Sequence, residues 1–470
     1  MIRPFLFSLL LVGLSCSPIP STNSTSTSAK QHYPTDPQLE YLAYRPQEGD
    51  RVISRATYAD QLYGFWLGQC IANWTGLITE MDKIGGDGLD GKGAGFYTRE
   101  DWGQPDQPNI WGGLGLDGRA PQIDFFFEGE NSTWGADDDT DIEYMYQYLM
   151  HQHQTTQLTA EQIRDGWLKH IYFDDNTPFR QANGAPENYL WVSNETAHEL
   201  MREGLRPPAT SDPANNSNYD MIDAQLTTEI FGLFTPTRPE VGVEIARLPI
   251  QTTARENAQW IAEFYVRMYA LAAIERPSTW SMRQRIGAMA IAARQQLPDS
   301  SYAAKMYDFV RAQKINGKSW EEARDALHQR YQVEQADEYY WSTQDKVCNG
   351  CFAAGINFGA SIVSLLYGEG DIKETIKIGA LCGWDSDNPT ATWGGMLGFM
   401  IGKAGVEEAF GRTFSDRFNI HRTRGGFDGD GIDTFENMAQ KGVFIVDRMV
   451  QERLGGGVDL ERDVWFVPRE

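Results

Sequence analysis

Two short runs of this 470-residue chain concentrate carboxylates in the way that cation sites do. Asp137-Asp138-Asp139-Thr140-Asp141 puts four carboxylates within five residues, just ahead of an apolar run that begins at Ile142 and Tyr144. Like charges this close repel, and holding them beside a buried helix is costly unless cations neutralise them. Asp is also favoured in a solvated first turn of a helix, so this run alone carries little weight. Asp385-Ser386-Asp387-Asn388-Pro389 supplies a second cluster. Pro389 suits a first helical turn, which places Asp385 and Asp387 at a loop–helix junction, aimed outward past the N-terminus. Hard oxygen donors of this kind suit Mg²⁺, Mn²⁺ or Ca²⁺ and disfavour zinc. Together the two clusters predict one shared binuclear site.

The elements that must position them read as helices. Capping boxes open three: Thr159 with Gln162 ahead of residues 160–171, Ser319 with Glu322 ahead of 320–331, and Asp371 with Glu374 ahead of 372–381. Residues 257–274 lack Gly and Pro and place Ile261, Phe264, Tyr265, Met268, Leu271 and Ala272 at helical spacing, which predicts a core helix. Two stretches instead carry small residues at four-residue steps, Gly64, Gly68, Ala72 and Gly76 in one and Gly394, Gly398 and Gly402 in the other. Residues four apart share a helix face, so these stripes predict close backbone contact at the centre of the fold. The Gly-, Asp- and Pro-rich stretch 84–131 reads as a long loop near the site. The last sixty residues, with the run from Arg424 to Asp433, read as an irregular extension, and that Asp/Gly run, lacking the order of an EF-hand, as a solvated turn.

Composition excludes some functions. With 65 Asp and Glu against 41 Lys and Arg, the net charge is −24, and no basic run exists to bind nucleic acid. The 14 Trp could stack on sugar faces or fill core. At the N-terminus Arg3 precedes an apolar run from Phe5 to Leu14 and then Ser15-Cys16, the order of a secretory signal. The run is too short to span a bilayer, and its end is similar to a bacterial lipobox, with lipidated Cys16 and simple secretion as the alternatives. A Ser/Thr-rich stretch follows and predicts a flexible tether over 17–45. The expected product is an exported monomer that meets a membrane only through its lipid. Cys348-Asn-Gly-Cys351 is compatible with a local disulfide or with two buried thiols.

The chain resembles the ADP-ribosylglycohydrolases. The resemblance rests on Gly64-Phe-Trp-Leu-Gly68 through Gly76 to Glu80, on Asp138-Asp139-Thr140, and on Gly383-Trp-Asp385-Ser-Asp387 with Gly394-Gly395 and Gly398, and it covers roughly 58–405. It implies an all-α orthogonal bundle, here over 46–410 with 411–470 packed on it, around two divalent cations, Mg²⁺ foremost with Mn²⁺ or Ca²⁺ as alternatives. The implied ligands are Asp138, Asp139, Asp385 and Asp387, joined by Asn388 where the family has a hydroxyl residue and by Asp137 where it often has Thr. Glu80 matches the family's glutamate and is the implied general acid or base. Two departures detach substrate choice from ADP-ribose: Asn73 stands where the family usually has Asp, and Thr252-Thr253-Ala254 replaces a usual Thr-His pair. Asn73 takes no assigned role. The expected function is therefore a metal-dependent glycoside hydrolase acting on an N- or O-linked ribosyl or related furanosyl bond of a small molecule or glycoside. Two alternatives are an ADP-ribosyl-protein hydrolase and a noncatalytic sugar-binding lipoprotein.

Overall fold

The computed structural model describes residues 32–86, 94–106, 122–181, 183–274, 278–340 and 349–469, and those from Tyr33 onward form one unit. The signal segment, Cys16, the stretch after it to Lys30 and Cys348 lie outside the described residues. Among the described residues no helix is long and apolar enough to cross a membrane.

The two glycine stripes meet each other. Helix Arg55–Gly76 (22 residues) lies along helix Asp387–Phe410 (24 residues), stripe against stripe. A methyl group on Gly68 would stand 2.4 Å from the carbonyl oxygen of Gly394, and one on Gly64 would stand 2.4 Å from that of Gly398. Side chains larger than hydrogen would therefore push the two axes apart. The contact ends at the carboxylates, because Gly76 abuts the Asp387 backbone, 2.4 Å from a would-be methyl to Cα. The remaining helices enclose this pair in an all-α body, with Asp138–Gln152, Glu256–Ala272, Ala354–Gly368 and Ile372–Cys382 among those that build its core.

The expected boxes close at Thr159 with Gln162 and at Ser319 with Glu322, whereas Asp371 accepts from the Glu374 amide while its own amide donates to the Gly368 carbonyl instead of to Glu374. Helix Trp320–His328 stops short of Tyr331 because the chain widens into a π turn, Gln329–Val333. The C-terminal stretch is more regular than its composition suggests. Phe435–Glu452 is an 18-residue helix packed on Arg55–Gly76, and strand Val464–Val467 pairs antiparallel with both Arg51–Ser54 and Gly457–Asp459. The buried Arg55 guanidinium fixes this closure with ion pairs of 2.8 Å to Asp447 and to Asp463. Residues from Tyr33 on, which include part of the stretch expected as a tether, belong to this unit. Tyr41 donates to Asp447 at 2.6 Å, and Arg55 donates to the Pro34 carbonyl at 2.7 Å.

The helix pair supplies a stability test. At Gly398 a methyl group would meet the Gly64 carbonyl oxygen at 2.2 Å, a backbone atom that cannot step aside, whereas Gly287 on helix Met282–Arg294 has nothing within 4 Å. Gly398→Ala should cost about 1–3 kcal/mol through overpacking despite Ala's better helix propensity. Gly287→Ala should gain up to about 1 kcal/mol from that propensity alone. Thermal or urea unfolding of both variants checks the opposite signs.

Two buried carboxyls in the same core make a pH test. Glu143 accepts from Gln69 at 2.5 Å and from the Ile230 amide at 2.8 Å. Glu229 accepts from Thr392 at 2.9 Å, and its Oε2 has no hydrogen-bond partner among the described residues. Burial raises both above the ordinary carboxyl range, and for Glu143 the charge of Glu229 adds to it. A raised folded value means that the native state holds protons the unfolded chain gives up. Their contribution is thus complete below about pH 4.3 and declines as pH rises through the folded values. Burial lifts Glu229 to about 7, so Glu229→Gln, which keeps the shape without the ionisation, should gain melting temperature over wild type increasingly from pH 5 to 8 at saturating cation. A constant difference across that range would remove this pair from the pH dependence.

Candidate functional site

The site forms where three helix ends converge. Asp137 caps helix Asp138–Gln152, its Oδ1 accepting from the Asp139 amide at 3.2 Å while Thr140 closes the box to the Asp137 amide. The second cluster sits in the tight link between helices Ile372–Cys382 and Asp387–Phe410. Gly383 there takes φ +94° with no room for a Cβ, which would stand 2.4 Å from the Lys83 carbonyl oxygen. The Asp385 amide donates to Asn357 at 3.2 Å, Ser386 donates to the Gly76 carbonyl at 3.0 Å, and Asp387 opens its helix. Glu80 follows Arg55–Gly76 in a turn whose neighbours are pinned: Thr79 donates to the Ala380 carbonyl, and the Met81 amide donates to the Trp384 carbonyl at 2.8 Å.

This convergence brings carboxylate oxygens into two sets, Glu80 with Asp385 and Asp387, and Asp137 with Asp139 and Asp387, within each of which they lie at most 4.8 Å apart. Asp387 belongs to both. Asp138 lines the same cleft but joins neither set. Glu80 thus stands within ligand distance of the second cluster, closer than an acid or base acting only on substrate requires. Burial raises Glu80, Asp137, Asp139 and Asp385 well above the carboxylate range, and the charge of Asp387 is the next cause for each. Burial raises Asp138 too, followed by the charges of Asp141 and Asp387. The Oδ1 of Asp387 is buried with no hydrogen-bond partner among the described residues. Crowded hard oxygens with an unused buried lone pair are the chemistry that divalent cations such as Mg²⁺, Mn²⁺ or Ca²⁺ satisfy, and the residues fit such ions.

Asn388 borders these sets: its amide donates to Asp139 at 3.1 Å and helps to aim it, and its carbonyl accepts from Gln225 at 3.1 Å. Asn73 acts similarly from the other side, donating to Asp137 at 3.0 Å. The fourth carboxylate of the first run, Asp141, turns away to Arg424, at 2.9 Å. Burial lifts it to about 6 and that guanidinium opposes the rise.

Above the carboxylates opens a cleft of about 430 Å³, walled by Trp74, Leu77, Leu226, Phe352, Tyr189 and Trp191. The long loop does return here, with Phe126 against Trp74 at a ring separation of 5.5 Å. The stretch after residue 411 contributes His421 and Arg422 to the wall, residues that no local pattern singled out. Burial and then the Arg424 and Arg422 charges push His421 down to about 3, leaving it neutral at physiological pH. Arg422 is engaged by Glu187 through two hydrogen bonds of 3.0 and 2.7 Å. Cys351 is disulfide-bonded, whereas Cys70 and Cys382 are buried free thiols.

The family model described as ADP-ribosylglycohydrolase matches residues 54–439. No curated protein sequence matches the chain. Among solved structures, a chain from an ADP-ribosylglycohydrolase-related protein complex is similar at 12% identity, with a TM-score of 0.40 and a match covering 83% of this chain and 98% of that one.

Proposed function

The chain belongs to the ADP-ribosylglycohydrolase family, and from that premise we propose that it is a metal-dependent hydrolase of an N- or O-linked ribosyl or related furanosyl bond. The observation that carries this reading is the pair of carboxylate sets joined at Asp387 on the floor of an aromatic-walled cleft. Divalent cations held there would orient a vicinal diol and acidify water. Asp137, Asp139 and Asp387 hold one side of that floor, and Asp385 with Asp387 the other. Asn73 and Asn388 keep Asp137 and Asp139 aimed as the cleft fills. Glu80, fixed between two pinned neighbours, is placed to move a proton to the leaving atom or from the attacking water. Trp74 and Trp191 offer flat faces to a sugar ring and help exclude bulk water.

The test is a panel of ribofuranosyl, arabinofuranosyl and ADP-ribosyl substrates with the full chain. Release from at least one plain furanoside, abolished by chelation and restored by Mg²⁺ or Mn²⁺, is expected. Turnover of ADP-ribosylated protein alone would replace this reading with the ADP-ribosyl-protein hydrolase, and cation-dependent sugar binding without any turnover would replace it with a binding protein.

A further inference from the structure

A second cavity, of about 500 Å³, adjoins the first and shares Tyr189 and Trp191 with it. Its volume falls in the range of small-molecule sites. Trp191 remains 47% exposed, unusual for so large an apolar side chain, and stands at the boundary of the two spaces. The partition is held in place. Arg424, the partner of Asp141 beside the carboxylate floor, donates to the carbonyls of Asn188 and Tyr189 at 2.7 and 2.9 Å, and the Tyr189 ring rests on His421 at 4.3 Å. One guanidinium therefore ties the wall of the second cavity to the chemistry of the first.

The linings decide what could sit there. Beyond the two aromatics, the second cavity presents Asp174, Glu187, Glu195 and the amides of Gln181 and Asn188. Among the described residues it has no lysine or arginine in its lining, and the guanidinium that lines the first cleft, Arg422, is paired with Glu187 through Nε and one Nη. A diphosphate extending from a sugar on the floor would meet the carboxylates of Asp174 and Glu195, and the second cavity's own lining holds no cation to offset them. A hydroxyl-rich ring has the opposite match, since carboxylates and amides accept its O–H groups and a tryptophan face covers its C–H face.

We propose that the cavity edged by Trp191, Glu187 and Glu195 is a subsite for the leaving-group side of the substrate and takes a second, uncharged sugar ring. The assignment rests on the furanosidase reading above, and it names the substrate class as a furanosyl disaccharide or longer glycoside. Binding can be measured without turnover by calorimetric titration of the Mg²⁺-loaded full chain. The probes are a non-hydrolysable S-linked ribofuranosyl-glucose and its arabinofuranosyl counterpart, the matching methyl thiofuranosides, ADP-ribose and arginine. The better disaccharide should bind about tenfold more tightly than its monosaccharide, the scale of one added ring contact. Trp191→Ala, and independently the conservative Glu195→Gln, should shrink that ratio. Equal affinities, no binding of either sugar, a ratio untouched by both variants, or tighter binding of ADP-ribose or arginine would each overturn the subsite. A preserved disaccharide preference in a protein that hydrolyses nothing counts against the hydrolase reading alone.

Discussion

Asp387→Asn should erase the cation-induced rise in melting temperature and turnover together, while leaving the cation-free protein at least as stable as wild type. Asp387 alone among the described residues belongs to both carboxylate sets, and after burial its charge is the main cause that raises Glu80, Asp137, Asp139 and Asp385. In the cation-free protein that charge is a cost, since it sits among four other carboxyls, of which Asp139 and Asp385 are buried. In the loaded protein it is the shared anchor. The amide keeps size and position at the first residue of helix Asp387–Phe410 but gives up the charge. Wild type should gain about 2.7 kcal/mol at a cation concentration one hundred times Kd, and the variant should gain almost none of it. Melting curves of chelated and Mg²⁺- or Mn²⁺-titrated protein, beside turnover on the best furanoside, read both effects. A full cation shift in Asp387→Asn would dissolve the shared site.

The parts of this centre that could be read from sequence are those whose signal is local. Asp138-Asp139 and Asp385 with Asp387 announce themselves because crowded carboxylates ahead of helices are costly without a reason. The stripes through Gly68 and Gly394 betray a helix contact because four-residue spacing is a property of one chain segment, although only the structure shows that the two stripes face each other. The polar supports were not legible. Gln225 reaches Asn388 and Arg424 reaches Asp141 across long stretches of chain, and nothing near either residue in sequence marks the contact. Asn388 stands at a position that the family resemblance marks for a ligand, and its contacts with Asp139 and Gln225 are visible only in the structure.

The C-terminal stretch shows a different limit. Its Asp- and Gly-rich start, a loose turn at Asp428–Gly431, masks the amphipathic helix Phe435–Glu452 that follows, whose buried Phe435, Met438, Gly442, Val446 and Met449 carry the helical period. Reading the region as irregular also hid that its loop delivers His421 and Arg422 to the cleft. Composition described the turn correctly and the segment wrongly. The stretch just before position 45 is related: its polar residues resemble a linker, but Tyr41 and the Pro34 carbonyl find buried partners in Asp447 and Arg55.

Glu80→Gln should lower turnover on the order of 10²–10⁴-fold, the usual cost of removing a general acid or base, with the cation midpoint moved less than about tenfold. The turn that carries Glu80 is set by backbone contacts on both sides, through Thr79 and Met81, so the substitution changes the proton and not the position. Its oxygens nevertheless lie within ligand distance of Asp385 and Asp387, and the two roles differ in what they lose. A ligand takes cation affinity and turnover down together, whereas an acid or base takes turnover alone. Leaving groups then separate acid from base. If Glu80 protonates the departing oxygen, a 4-nitrophenyl furanoside, whose phenolate leaves without help, should recover most of the loss, and an alkyl furanoside should show all of it. If Glu80 activates water instead, both substrates should fall alike. Parallel collapse of cation binding would make Glu80 a ligand and move the proton transfer to another group in the cleft.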